Sequence, residues 1–315
     1  MTDRIKPRFP IYIPSKGREE SITARFLRED DIPFFLVVEE EEHDKYAEHW
    51  GGECILVLPP RTPDEHKSVI FARNWIKQHS TAAGDKRHWQ LDDNINKIYR
   101  YHKSLRIPCD SAIAITAVED FTEKYKNVAV SGLDYKTFCP NYSPMYRPFK
   151  RNVHVYSFSL TLNELPYRWR GHYNEDTDYC LQVLAGGWCT ILVRAFLCEK
   201  ARTMIMKGGN SATLYKGDGR LKMARSLERL WPGIVETKRR YGRPQHVINW
   251  AKFRTPLEKV DSYQKQENPD PKYKMQLKKV KEEISSPTLQ KLYAEANAEE
   301  HADTLIGNKD TLNGQ

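Results

Sequence analysis

Arg87-His88-Trp89-Gln90-Leu91-Asp92-Asp93-Asn94-Ile95 is the stretch on which the fold turns. A bulky aromatic and an aliphatic residue run straight into two adjacent carboxylates, the pattern of a buried strand that ends at an open site. Like charges side by side repel, and burying them unpaired is costly, so they are tolerated in open water or beside a cation. Hard cations such as Mg²⁺ and Mn²⁺ take oxygen ligands, often carboxylates together with substrate phosphates. The pair therefore has two readings. It holds a metal–diphosphate, or it is an Asp-Asp-Asn turn of the kind ordinary turn chemistry favours after a strand.

Working outward towards the N-terminus, residues 9–14 form a short apolar strand, broken at Pro14-Ser15-Lys16-Gly17-Arg18, and residues 18–27 look helical. Phe34-Phe35-Leu36-Val37-Val38 is a continuous apolar run, as in a strand buried on both faces, and it ends at Glu39. A helix over 44–50, a strand over 54–58 and a helix over 68–79 lead back to the strand His88–Leu91. Alternating strands and helices predict an α/β fold with a mostly parallel, Rossmann-type sheet and helices on both faces. Ligands of such sheets bind outside the carboxyl ends of the strands. Those ends carry Ser15, Lys16, Arg18, Glu39 and Asp92-Asp93, so polar chemistry gathers on one rim. Neither a G-x-G-x-x-G nor a G-x-x-x-x-G-K-[ST] pattern is present, which removes the dinucleotide and P-loop fingerprints.

Beyond the opening stretch, the pattern predicts a helix over 108–124 capped by Asp110 or Ser111, a strand over 127–132 and an irregular tyrosine-rich segment over 138–150. A strand near a sheet edge follows over 152–160, then a helix over 179–185, a strand over 188–196 and a mostly helical run over 214–241 with a break at Trp231-Pro232-Gly233. Composition shifts near Phe253. The expected organisation is one domain over 1–253, in two halves over 1–100 and 101–253. A charged helical extension over 254–297 and a disordered tail over 298–315 complete the chain.

The 315 residues carry a formal net charge of +8 and a pI near 9.0, which favours a polyanionic partner, nucleic acid first. Six cysteines include no C-x-x-C pair, which argues against a zinc ribbon and for free thiols in a reducing compartment. No apolar signal region opens the chain and no apolar run reaches membrane-span length. A soluble, cytoplasmic protein with no membrane partner is expected.

A second dense stretch is Arg170-Gly171-His172-Tyr173-Asn174-Glu175-Asp176-Thr177-Asp178. It is either an acidic helix start favoured by the macrodipole, or the seat of a general base. Arg147, Lys150 and Arg151 follow the loop with Tyr142 and Tyr146, and Lys238, Arg239, Arg240 and Arg243 form a second basic cluster. These are solvated faces or phosphate contacts, with an aromatic ring to stack on an extruded base.

The order of these pieces resembles the inverting GT-A glycosyltransferases. Asp92-Asp93-Asn94 looks like their acidic strand end and Glu175-Asp176 like their acceptor-side motif. More narrowly, Ile13-Pro14-Ser15-Lys16-Gly17-Arg18, Ala72-Arg73-Asn74-Trp75, Leu91-Asp92-Asp93-Asn94 and Tyr241-Gly242-Arg243-Pro244 are similar to the glycosyltransferases associated with TET/JBP oxygenases in bacteriophages and kinetoplastids. The resemblance implies a nucleotide-sugar half over 1–100 and an acceptor half over 101–253, with a sugar moved from a nucleotide-sugar, a UDP-sugar first, to the hydroxymethyl group of 5-hydroxymethylcytosine or 5-hydroxymethyluracil in DNA, in the host cytoplasm if the chain is phage-encoded. It implies that Pro14, Ser15, Arg18, Glu39 and Arg73 meet the nucleotide-sugar, and Asp92 the ribose or a metal-bound water. Asp93 and His246, with Asp92, are the implied ligands of Mn²⁺ or Mg²⁺, Asp176 the base, and Glu175 the residue that orients the acceptor. Arg147, Lys150, Arg151, Arg239, Arg240 and Arg243 are the implied DNA contacts. Asn94 departs from the pattern, since many relatives have Asp there. The alternatives are a GT-A enzyme for a glycan or protein side chain, and a non-catalytic nucleic-acid-binding module.

Overall fold

The computed structural model describes residues 5–61, 69–102, 105–139, 147–171, 173–201, 219–240 and 242–263. Its centre is a ten-stranded sheet in the order β3-β2-β1-β4-β9-β7-β10-β5-β6, with β8 also on β10. The strands are β1 Ile11–Pro14, β2 Phe35–Val38, β3 Ile55–Val57, β4 Arg87–Leu91, β5 Ile95–His102, β6 Leu105–Pro108, β7 Val128–Tyr135, β8 Phe149–Arg151, β9 Phe158–Leu162 and β10 Cys189–Lys200. The first four are mutually parallel, and β9, antiparallel to both β4 and β7, gives β7 and β10 the same direction as β4. The carboxyl ends of β1, β2, β4, β7 and β10 therefore lie on one rim.

The described helices are α1 Ile22–Glu29, α2 His43–Trp50, α3 Val69–Ala82, α4 Ser111–Thr122, α5 Glu175–Ala185 and α6 Gly219–Leu230. Period-two alternation assigns them to faces. Ile11, Ile13, Trp89 and Leu91 bury against Ala24 and Leu27 of α1 and against α4. Tyr12 and Val37 bury against Ala72 and Ile76 of α3, and Val130 and Leu162 against Tyr179, Cys180, Val183 and Leu184 of α5. At Gly132 a Cβ would stand 2.1 Å from the Phe158 carbonyl oxygen, so the β7–β9 approach requires glycine.

Three expectations change. The strand expected near an edge over 152–160 is β9, displaced to Phe158–Leu162, fully buried in mid-sheet. The helix expected over 214–241 is confined, within the described residues, to α6. After Pro232 and Gly233 (φ 74°) the chain makes the hairpin β11 Val235–Arg240 with β12 Arg243–Ile248, turning at Gly242 (φ 72°). Val235 is buried with Leu181 and Leu227, which fixes the alternation. The sheet also gains β5 and β6, whose buried Ile95 and Ile98 are spaced by three and so carry no period-two signal. Of the expected extension only 254–263 is described, and it runs without helix, bridging Tyr125 to Lys259. The remainder of the extension, the tail, Tyr142, Tyr146 and His172 lie outside the described residues.

Candidate active site

The Asp92-Asp93 turn is built before it is charged. Ser21 caps α1 by accepting from the Ala24 N–H and donates to the Asp93 carbonyl at 3.2 Å. Thr23 Oγ1 donates to the Asp92 carbonyl at 2.6 Å and accepts from the Ile95 N–H at 2.8 Å. The Asp92 N–H donates to the Ser157 carbonyl at 3.0 Å. The backbone is thus clamped from both sides, and the two side chains diverge.

Asp93 turns back to the β1 loop. Its Oδ1 accepts from Arg18 Nη1 at 2.6 Å and its Oδ2 from Ser15 Oγ at 2.9 Å. Tyr46 closes this corner, with its hydroxyl 2.8 Å from Ser15 Oγ and accepting from the Arg18 N–H at 3.0 Å. Burial pushes the Tyr46 phenol up to about 12, and burial likewise raises the Asp93 carboxyl above its ordinary value against the pull of Arg18. Gly17 (φ 62°) makes the loop's left-handed turn, and its N–H donates to Glu42 at 2.6 Å. Glu39, at the end of β2, is held by Arg61 and, at 3.6 Å, by Lys16.

Asp92 faces the middle of the rim. Arg73 Nη2 reaches its Oδ1 at 3.0 Å and Lys200 Nζ its Oδ2 at 2.5 Å. Burial opposes the charged carboxylate, but Lys200 and Arg73 outweigh it and lower the Asp92 pKa. Lys200 also donates to Ser157 Oγ at 3.3 Å and lies 5.8 Å from the Tyr135 ring centroid. Arg73 is 3% exposed and joins both halves of the rim. Its Nη1 donates to Gln90 Oε1 at 3.2 Å, and its Nε stands 3.5 Å from Glu175 Oε1.

Glu175 and Asp176 open α5, after Asn174 in a left-handed conformation (φ 55°) whose Nδ2 donates to the Met223 carbonyl of α6 at 3.0 Å. Asp176 Oδ2 lies 3.2 Å from His154 Nε2. Burial works against its charge, but His154 and Arg73 hold the Asp176 carboxyl well below the usual range. Glu175 shifts the other way, raised by burial and by its neighbour Asp176. Asp178, from the same acidic run, is structural. It is fully buried and accepts from Arg170 Nε at 2.9 Å, Gln182 Nε2 at 2.7 Å and Trp231 Nε1 at 2.7 Å.

A family model described as TET-Associated Glycosyltransferase matches residues 9–209, more than half of the chain. The chain belongs to that family. No curated protein matches it. The glycosyltransferase match spans Ser15, Arg18, Glu39, Arg73, Asp92, Asp93, Glu175, Asp176 and Lys200, so the whole rim cluster lies inside it.

Within this TET-associated glycosyltransferase, the expected site residues fall into one cluster in part. Ser15, Arg18, Arg73, Asp92, Asp93, Glu175 and Asp176 form a continuous charged network. Pro14 closes β1 just before it. His246, on β12, falls near the α5 start, where its charged neighbours are His154 and Asp176. Burial lowers its pKa, and its buried Nδ1 has no hydrogen-bond partner among the described residues. Arg147, Lys150 and Arg151 are exposed on and beside β8, and Arg239, Arg240 and Arg243 at the tip of the β11–β12 hairpin. The tip lies three registers beyond His246, about 10 Å along the strand.

The implied divalent cation does not fit this arrangement. An ion held by carboxylates and phosphates needs carboxylate oxygens that converge and are open to it. Here Asp92 and Asp93 point apart, and each of their oxygens already meets a cation or a hydroxyl. Among the described residues, no three His, Cys, Asp or Glu side chains converge as a metal site. No described helix is long and apolar enough to cross a membrane.

Lys200, His154 and Tyr46 are the site residues that sequence reasoning missed. Lys200 had a usable signal, because it ends an apolar strand on the same rim as Asp92. Expected to stop at Phe196, that strand runs to Lys200. His154 had none, because an isolated histidine does not announce the carboxylate it meets.

Proposed function

We propose that this glycosyltransferase moves a sugar from a nucleotide-sugar, a UDP-sugar, to the hydroxymethyl oxygen of 5-hydroxymethylcytosine or 5-hydroxymethyluracil in DNA, with inversion at the anomeric carbon. The observation that carries the reading is Arg73, one buried guanidinium in contact with both Asp92 at the β4 end and Glu175 at the α5 start. It ties the β4 end, on the proposed donor side, to the α5 start, on the proposed acceptor side. The nucleotide lies along the β1 loop and the β2 end, by Pro14, Ser15, Arg18 and Glu39.

Charge grows on the diphosphate as the C1–O bond to it breaks, and Arg73 and Lys200 are the fixed cations that meet it. The acceptor oxygen forms the new bond at C1 from the opposite face, through an oxocarbenium-like transition state. Its proton passes to Asp176, which is ionised at neutral pH and held in place by His154. Glu175 orients the acceptor. A formal net charge of +8 and the exposed basic residues on β8 and the β11–β12 hairpin favour a DNA acceptor over a neutral glycan.

The test is UDP release from a panel of UDP-sugars with duplexes containing 5-hydroxymethylcytosine, 5-hydroxymethyluracil or unmodified pyrimidines. Release only with a hydroxymethylated duplex is expected. Equal release with a glycan acceptor, or none with any duplex, contradicts the proposal.

A further inference from the structure

Beside the acceptor half stands a run of aromatic rings that the transfer chemistry above does not use. β7 ends at Tyr135, and the single turn Lys136–Phe138 follows it. Tyr135 stacks on Tyr156, with ring centroids 4.7 Å apart and planes at 24°. Phe138 leans on both, at 5.5 Å from Tyr156 and 5.7 Å from Tyr135. Tyr156 continues to His154 at 4.3 Å, and His154 Nε2 is the group 3.2 Å from Asp176. The run therefore begins in solvent and ends at the candidate base.

Its outer end is Phe138, 53% exposed, the one aromatic among the exposed large hydrophobic residues described. Its other end is polar and fixed, since the Tyr135 hydroxyl lies 2.6 Å from Ser157 Oγ, the residue whose carbonyl holds the Asp92 N–H. Cations flank it. Arg194 Nε lies 3.2 Å from Oδ2 of Asp134, the residue before Tyr135, and the Arg194 N–H donates at 2.7 Å to the carbonyl of Pro148, which leads into β8 and Lys150. Arg147 and Arg151 are exposed on either side of Lys150.

We propose that Phe138, Tyr156 and Tyr135 seat an unstacked 5-hydroxymethylpyrimidine base of a DNA strand whose phosphates lie along Arg147, Lys150 and Arg151. This rests on the reading of the acceptor as a DNA base and adds that the base leaves the helical stack before transfer. Stacking on aromatic rings beside a cationic track is how single-stranded bases are held without sequence readout. Extraction is cheapest for an unpaired or mismatched base. Tyr156, the middle ring, is 4.3 Å from His154, which meets Asp176, so the run leads from solvent towards the group that takes the hydroxymethyl proton.

The experiment uses the full chain and a hydroxymethylcytosine duplex with 2-aminopurine beside the modified base. Fluorescence is read on binding, without donor. A rise with the wild type that is lost in Phe138→Ala and restored in Phe138→Trp is expected. Under turnover, KM for DNA should rise about 10-fold or more in Phe138→Ala while kcat changes less, the size of one lost stacking contact. A duplex with the modified base mismatched should be a better acceptor than the matched one. No fluorescence rise with the wild type, or a Phe138→Ala protein equal to wild type in both fluorescence and KM, overturns the seat. Because the fluorescence readout needs no sugar transfer, it separates failure of the seat from failure of the transfer reading.

Discussion

The two acidic turns on the rim, Asp92-Asp93 and Glu175-Asp176, are alike in composition and opposite in electrostatics. At the first, every carboxylate oxygen is met, Asp93 by Ser15 and Arg18 and Asp92 by Arg73 and Lys200. At the second, Arg73 is shared with Asp92, His154 meets Asp176 Oδ2, and the other Asp176 oxygen accepts only from the neutral Thr177 N–H and hydroxyl. The first turn is thus neutralised and rigid, suited to placing cations against a diphosphate. The second keeps negative charge in excess, and one of its carboxyls is driven up while the other is driven down. A pair of environments that separates two carboxyl pKa values is the arrangement that assigns one to bind and the other to take a proton. Adjacent acidic residues acquire their roles from counter-charges that arrive from distant parts of the chain.

The comparison breaks most sharply at Asp176. Asp176→Asn removes the proton acceptor and should lower kcat by about 10²–10⁴-fold, with UDP affinity by calorimetry nearly unchanged. Next is the bridge between the turns. Arg73→Lys keeps the charge but not the fork that reaches Asp92 and Glu175 together, and kcat/KM should fall about 10–100-fold. Lys200→Met removes a cation of the first turn that also lies against the Tyr135 ring, so it should weaken UDP binding about 10-fold and DNA affinity less.

His154→Ala sharpens the second turn through pH. His154 is the largest influence lowering the Asp176 carboxyl, and burial raises it. The base acts only when ionised, so a depressed pKa extends activity towards acid. Without His154, burial is less opposed, the Asp176 pKa climbs, and the acid limb of the kcat/KM profile should move to higher pH, with activity lost at acid pH and kept near neutrality, where the carboxylate stays ionised. The smallest effect is expected from chelation. If the first turn is already neutralised by Arg73 and Lys200, EDTA should change UDP affinity by less than about 3-fold, because no carboxylate oxygen waits for an ion.

Much of this geometry was legible before the structure. The α/β alternation over the first hundred residues follows from continuous apolar runs and turn residues, and strand ends on one rim follow from parallel pairing. That logic gathered Ser15, Arg18 and Asp92-Asp93, which the structure brings into contact, whereas Arg73, on α3, is implied by the resemblance alone. It failed where local pattern and long-range pairing disagree. Ile95 and Ile98 are not spaced as strand neighbours, yet β5 forms because β10 offers an edge. The hairpin after Gly233 reads as a charged helix by composition, but burial of Val235 against α5 and α6 decides for strands. The direction in which each carboxylate points was not legible, because it depends on α1 clamping the turn and on Lys200 arriving from a strand more than a hundred residues later.

The most direct test of the claim that the two turns form one transfer site is mass spectrometry of nucleosides. Hydroxymethylcytosine and hydroxymethyluracil DNA would be incubated with a mixed nucleotide-sugar pool and either wild type or Asp176→Asn. The account predicts a sugar-mass adduct on the hydroxymethylated nucleoside with wild type, and little or none with Asp176→Asn. An adduct on no pyrimidine, or one formed equally well by Asp176→Asn, would contradict it.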